Sequence, residues 1–401
     1  FNYDTVFDAK ISLNETNWIV EMIIPYSAIR FPESEIQDWG INFSRRIRDF
    51  EESYTWNPTD IRTYSWPEQL GLVKDIKSLK PPLRLFLYPY LQSELDVKKN
   101  HSSNLSYSAG LDLKYGLSNS FTLDLTLIPD FGQVAFDDEE LNLTPFEQQF
   151  DENRAFFTEG ASLFEKADIG FRAGNFFYSR RIGQKLNFNE NDYLLDNEEI
   201  LTYDKKPKLI NSIKVTGTTN TKLSIGIINT ITDNAYAYFK NNVTNLERKE
   251  LLAPTTNYNV LSLTQEIIND VSSISVLNTN INRKNGLNGN NTALVADIFD
   301  NKRKYNIQSA IYGSYAPRFS EKNGFKGYIS AEELEGNFQF FLHWTGVDKY
   351  YNQNELGYFI LHNSQRAGGR VSYRILNENK LFRTLSSSLY VVRTFRFDDG
   401  E

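Results

Sequence analysis

The sequence contains no cysteine, which excludes disulfides and thiolate metal sites. It has three histidines, His101, His343 and His362, far apart in the chain, so an imidazole metal centre has no foundation. No stretch reaches the ~18 consecutive apolar residues of a membrane-spanning helix. There is no basic excess either: the formal net charge is -8, which argues against nucleic acid as a partner. No nucleophile-with-base arrangement, phosphate loop or spaced acid pair is present, so the expectation is a non-enzyme without cofactor or metal.

What is present is alternation. From position 83 onward, Leu83, Leu85, Leu87, Leu91 and Leu95 fall on one side, and Arg84, Tyr88, Gln92, Glu94 and Asp96 on the other. Tyr107, Ala109, Leu111, Leu113 and Tyr115 repeat the pattern against Ser106, Ser108, Asp112 and Lys114. Phe121, Leu123, Leu125 and Leu127 oppose Thr122, Asp124 and Thr126. Side chains alternate faces along a strand, so each segment has one apolar and one polar face. Segments of roughly 10 residues, joined by tight turns on one side and long polar stretches on the other, are the signature of a transmembrane β-barrel. Gly, Asn and Asp turns fall near 116–120, 217–220, 269–270, 300–301, 335–337 and 377–379. Longer polar stretches cover 98–104, 232–257, 282–291 and 348–365. The fold class read from this is all-β: an antiparallel barrel of 14 or more strands over 81–401, preceded by part of a β-sandwich over 1–80. Composition alone, with aromatic content of 14%, fits a soluble all-β protein equally well.

The first 80 residues read as short strands, at 7–12, 18–24 and 39–48, with Lys80-Pro81-Pro82 marking the boundary. Phe1-Asn2-Tyr3-Asp4 shows neither the basic nor the apolar region of a signal peptide. An exported protein needs one, so the chain is expected to lack its original N-terminus. The final run, which ends in Asp398-Asp399-Gly400-Glu401, is expected not to close the barrel on the 83–95 strand.

Residues 129–160 break the alternation and mix phenylalanines with carboxylates. They are expected to pack inside the barrel or across its mouth, since so many large apolar groups are costly to leave in water. Candidate packing residues are Asp130, Phe131, Glu147, Arg154, Phe156, Phe157 and Glu159, with Arg180 and Arg181 as charge partners. Two arginines in succession cannot both face inward on a regular strand, so one of each Ser-Arg-Arg pair (Arg45-Arg46 and Arg180-Arg181) belongs at a rim or bulge. The run Asp137, Asp138, Glu139 and Glu140 lacks the spacing of a calcium loop and reads as solvated charge. Trp39, Trp56 and Trp66 are the carbohydrate-binding candidates, because an indole face covers the apolar side of a sugar ring. Core packing is the competing reading, favoured for Trp39.

Several motifs together resemble one family. They are Ile24-Pro25-Tyr26-Ser27-Ala28-Ile29-Arg30-Phe31, Trp39-Gly40-Ile41-Asn42-Phe43-Ser44-Arg45-Arg46, Ile128-Pro129-Asp130-Phe131-Gly132-Gln133-Val134, Asn142-Leu143-Thr144-Pro145-Phe146-Glu147, Phe156-Phe157-Thr158-Glu159-Gly160 and Phe177-Tyr178-Ser179-Arg180-Arg181-Ile182-Gly183. The chain resembles bacterial envelope proteins of the Bacteroidota, which join a family-nine-type carbohydrate-binding domain to a C-terminal domain of unknown function numbered 5916. The resemblance implies a periplasmic sandwich and a barrel in the cell outer membrane, with no established activity. It implies outer-membrane lipid as a partner, with a glycan or other envelope proteins besides. The expected function is envelope transport or glycan handling with an unknown substrate. The alternatives are a structural subunit of a larger outer-membrane complex and a soluble glycan-binding protein. Asp112→Asn and Asp124→Asn are expected to be mild, and Leu111→Arg and Leu125→Arg costly.

Overall fold

Twenty-two strands carry the fold of this computed structural model, which describes all residues except 1–6, 16, 30, 32, 49–50, 60–68, 97–103, 129–146, 171, 173, 376–380, 383 and 401. The N-terminal part holds β1 (Asp8–Leu13), β2 (Trp18–Ile23), β3 (Ile36–Ile41), β4 (Ser44–Ile47), β5 (Glu52–Thr55) and β6 (Gly71–Lys77). They pair as β1–β2, β3–β6 and β4–β5, three separate two-stranded sheets. The single strand expected over 39–48 is two. Asn42 divides it: its side-chain Oδ1 accepts from the backbone N–H of Phe43 and of Asn57, both at 2.9 Å, in competition with a ladder.

The remaining strands are β7 (Leu85–Asp96), β8 (Asn104–Gly116), β9 (Phe121–Leu127), β10 (Glu198–Tyr203), β11 (Leu209–Thr218), β12 (Leu223–Thr232), β13 (Ala235–Asn241), β14 (Glu247–Ala253), β15 (Thr256–Glu266), β16 (Ser273–Arg283), β17 (Gly289–Phe299), β18 (Tyr305–Tyr315), β19 (Gly324–Glu333), β20 (Phe338–Val347), β21 (Ser364–Ile375) and β22 (Leu385–Arg396). Thirteen of them form one antiparallel sheet in the order β22-β21-β20-β19-β18-β17-β16-β15-β12-β11-β9-β8-β7. That is thirteen rather than the fourteen or more expected. The stretch 232–257, read as polar loop, instead holds β13 and β14, which join β10 in a separate three-stranded sheet.

Neighbours in the large sheet are neighbours in sequence or are separated by an insertion. Its connections at 117–120, 219–222, 267–272, 300–304 and 334–337 on one side are short, and 128–208, 233–255 and 348–363 on the other are long. The connection 284–288 on that second side is short as well, since β16 and β17 take up half of the stretch 282–291 read as a longer polar loop. No hydrogen-bonded pairing joins β7 to β22 among the described residues, so the sheet has two edges.

Register puts one set of alternate residues on a single face through all these strands. Lys114 pairs with Asp124, Asp124 with Lys214, and Lys214 with Ile228. Further along, Leu277 pairs with Ala293, Ala293 with Tyr312, and Tyr312 with Lys326. This face is covered: Thr122, Asp124, Ser212, Lys214, Thr230, Thr279, Lys326 and Ser330 are all buried on it. The opposite face bears Ile213, Ile227, Val276, Leu294, Ile311, Ile329, Leu342, Val371 and Leu389, all exposed. The covered face is mixed, since Ile228, Leu277, Ala293 and Tyr312 are buried on it too, but a water-soluble sheet does not leave so broad an apolar face uncovered.

Candidate functional site

The long connection between β9 and β11 lies against the covered face from residue 147 onward. It folds as a succession of short turns: α1 (Ala155–Thr158) and one-turn 3-10 helices at Ala161–Leu163 and Ser179–Arg181. Gly160, in the left-handed conformation at φ 70°, follows α1 and leads into the first 3-10 turn. Phe157, Phe164 and Ile182 from this inner segment pack on Leu209, Ile228, Val260 and Ile281 of the sheet. Ala167 and Phe176 pack on Leu277, Ala293, Val295, Ala310, Tyr312 and Tyr328. Each buried phenylalanine stabilises this docking by about 1.5–3 kcal/mol.

The charges of the segment are paired. Arg154, 7% exposed, donates Nη2 to a Glu152 oxygen at 2.6 Å and to the Ser179 carbonyl at 2.7 Å, and Nη1 to the Ile182 carbonyl at 3.0 Å. Its guanidinium lies 4.4 Å from the centre of the Phe157 ring. Burial pushes the Glu152 carboxyl up, but hydrogen bonds and charge from Arg154, with the Ser179 hydroxyl, outweigh it and leave the group below its ordinary value. Glu159 meets Lys114 of β8 at 2.5 Å. Lys214 of β11 donates to the Glu159 carbonyl at 2.9 Å and to the Phe156 carbonyl, and it pairs with Asp124 at 3.5 Å. Arg181 grips Glu147 with both terminal nitrogens at 2.7 Å, and Arg180 donates to the Asp151 carbonyl at 3.0 Å. Both arginines sit on a 3-10 turn rather than on the strand considered from sequence, and this frees them to point in different directions.

A second inward element was not foreseen. The connection 348–363, read as a polar loop, buries Tyr351, Gln353, Glu355, Leu356 and Phe359. It is stitched to the inner segment by backbone hydrogen bonds. Asn175 and Tyr358 exchange both N–H···O bonds, at 3.0 and 2.8 Å, and the Tyr178 N–H donates to the Leu356 carbonyl at 2.8 Å. Gln353 donates to the Asn175 carbonyl at 2.9 Å, and Arg181 Nε to that of Gly357 at 3.0 Å. Gly174, at φ 66°, makes this approach possible, since a Cβ there would strike the Tyr358 carbonyl. The missed signal was the apolar content of the connection itself, Tyr350, Tyr351, Leu356, Tyr358 and Phe359.

Between the two elements lies a buried charge. Asp168 accepts from the Phe176 N–H at 2.6 Å, and burial lifts its carboxyl to about 7, against the counter-pull of that bond and of Lys326. Lys326 of β19 is boxed by the rings of Tyr312 and Phe359, 4.1 and 4.7 Å from its ammonium.

The structure thus brings together Glu147, Arg154, Phe156, Phe157, Glu159, Arg180 and Arg181. Asp130, Phe131 and Trp66 lie outside the described residues. Trp39 is half-buried among Phe31 and Tyr26, with Nε1 donating to Gln37 at 3.1 Å, an environment of packing. Trp56 is 61% exposed beside Phe43, with its ring edge over Gly71. Among the described residues, no cluster of three or more His, Asp or Glu side chains could hold a metal ion.

No curated protein and no solved structure matches the chain. A family model does, over residues 81–401, and it carries the description Domain of unknown function (DUF5916). It takes in the whole thirteen-stranded sheet together with both inward elements, and the chain belongs to the DUF5916 family.

Proposed function

We propose that the chain is an outer-membrane β-barrel protein acting in envelope transport or glycan handling, with residues 147–182 and 348–363 together plugging its lumen. The observation that carries this reading is the broad apolar outer face of the large sheet, set against buried lysines within. Lys214 and Lys326 are buried at 1% exposure on the covered face, while Leu389 and Val391 are 64% exposed on the other. Lipid tolerates such an outer face and water does not. The short connections on one side and the mostly long ones on the other fit periplasmic turns and outward loops. Residues 1–80 would then stand in the periplasm, where the exposed Trp56 is available to a sugar ring.

A second reading, a structural subunit of a larger outer-membrane complex, draws on the two unpaired edges. An edge strand offers its free N–H and C=O groups to another chain.

Solubility and conductance separate the readings. A barrel protein stays in solution only with detergent and runs on gels with heat-modifiable mobility. Its conductance in planar bilayers should be low, and should rise when residues 147–182 are replaced by a Gly/Ser linker. Stable monomer without detergent would overturn the membrane reading. Detergent dependence with no conductance in either form would favour the structural subunit.

A further inference from the structure

On the covered side of the sheet, most charges have an answering charge: Lys114 with Glu159, Lys214 with Asp124, Arg283 with Glu355, and Arg396 with Asp398 and Asp399. Two arginines of β21, Arg370 and Arg374, depart from this. The register of β21 with β20 places Arg366 opposite Thr345, Arg370 opposite Phe341, and Arg374 one step beyond Ser372 on the same face. Three arginines at intervals of four therefore line one strand, with Gly368 and Ser372 between them. At the rise of a strand the spacing is about 13 Å and the column spans about 26 Å. Among the described residues, neither Arg370 nor Arg374 forms an ion pair. The buried Nε of Arg374 has no hydrogen-bond partner among the described residues.

Beside this column runs an aromatic row. Phe341 stacks on His343 at 5.3 Å, and His343 on Tyr390 of β22 at 6.1 Å, with Nε2 and the Tyr390 hydroxyl 2.9 Å apart. That contact crosses β21 above Gly368, where a Cβ would press on the His343 ring at 2.9 Å. Arg370 lies 5.8 Å from the Phe341 ring and Tyr390 is 45% exposed, so the row is open to a ligand. The core of the inward elements ends at Val347 of β20, and residues of β22 on both faces remain exposed.

We propose that the inner face of β20–β22 is a binding track for an extended anionic, hydroxyl-rich ligand, an acidic oligosaccharide. The arginines supply charge-assisted hydrogen bonds to carboxylate or sulfate groups, and rings of positive side chains are what anion pores use. The aromatic row supplies flat surface for sugar rings, and the serines of β21 and β22 bond hydroxyls. A column of three arginines spanning about 26 Å matches an extended chain with repeated charges better than a single compact anion. This inference rests on the lumen reading above and names the substrate class for it.

The test uses the full chain in detergent, titrated with tetragalacturonate and, as the neutral control, maltotetraose. The acidic probe should bind with an affinity that falls as salt rises, and the neutral one about tenfold more weakly. Arg370→Gln with Arg374→Gln should lower the acidic affinity about tenfold, while Arg370→Lys with Arg374→Lys should keep most of it. Equal binding of the two probes, binding of neither, or an unchanged glutamine double variant would overturn the track. Binding of neither is also the outcome if carboxylates of an adjoining protein strand answer these arginines. Reversal potentials in bilayers isolate the two claims. Anion preference that the double variant removes supports the track. Conductance without anion preference overturns the track and leaves the pore. Acid-specific binding lost in the variant, with no conductance, keeps the track and removes the pore.

Discussion

Replacing Arg154 by alanine should release the inner segment while leaving the sheet intact. The side chains of Arg154 and Glu152 are 8% and 14% exposed, so the change leaves a carboxylate out of water without its cation. Removing one partner of such a pair costs about 3–5 kcal/mol. The carbonyls of Ser179 and Ile182 lose their donor too, at about 1–3 kcal/mol each, but these terms overlap and do not add. A total of roughly 3–5 kcal/mol is set against docking, a large share of what a few buried phenylalanines supply. None of the sheet's ladders passes through Arg154, so strand content should persist. Limited proteolysis of the assembled protein reads the effect, through new cleavage within 147–182 and an unchanged circular dichroism spectrum. Glu152→Ala in the Arg154→Ala background should restore about 1–3 kcal/mol of protection by removing the stranded charge. The reasoning fails if Arg154→Ala is as protected as the parent, or if the double variant is cleaved as fast as the single.

Ile311→Arg and Leu294→Arg, both outward and exposed, should each weaken assembly in lipid by about 2–4 kcal/mol, and unchanged folding into vesicles would refute a lipid-facing surface. Asp124→Asn should cost on the order of 3 kcal/mol, against the mildness expected from sequence, because it leaves Lys214 buried without that carboxylate; urea titration in vesicles should rank it well above Asp112→Asn, which breaks no ion pair among the described residues. Asp168, lifted from 3.8 to about 7 by burial, keeps its proton longer in the docked state, so docking is strongest below the unfolded value and weakens as pH rises through about 7. Hydrogen exchange of residues 164–178 at about pH 5.5 and about pH 8.5 should show this, Asp168→Asn should flatten it, and a pH dependence that survives the substitution would refute the assignment.

The strands were legible because a period of two survives in sequence wherever one face meets lipid or solvent and the other a polar interior. Hence Phe121–Leu127 has the bounds the alternation implies. The inward habit of Phe156 and Phe157 was legible from their apolar bulk. The 348–363 connection was not, because its partners at Asn175 and Tyr178 lie so far back in the chain that no local pattern refers to them. β13 and β14 escaped notice because Asp233-Asn234, Asn242, Asn245 and Pro254, together with Lys240, Arg248 and Lys249, gave the whole stretch the composition of a loop. The pairing of Glu159 with Lys114, rather than with an arginine, follows from the register of β8 and β9 against β11, which composition does not encode.

The hydrogen bonds between Asn175 and Tyr358 also order events in time. Residues 147–182 precede most of the strands that hold them, β8 and β9 excepted, and their partners at 356–358 lie between β20 and β21. Contacts of such sequence separation form late and slowly, since the loop between them must close first. Phe157, clustered with Leu209 and Ile228, is therefore covered early, whereas Phe176, clustered with Tyr312, Tyr328 and Tyr351, completes its burial only with the last strands.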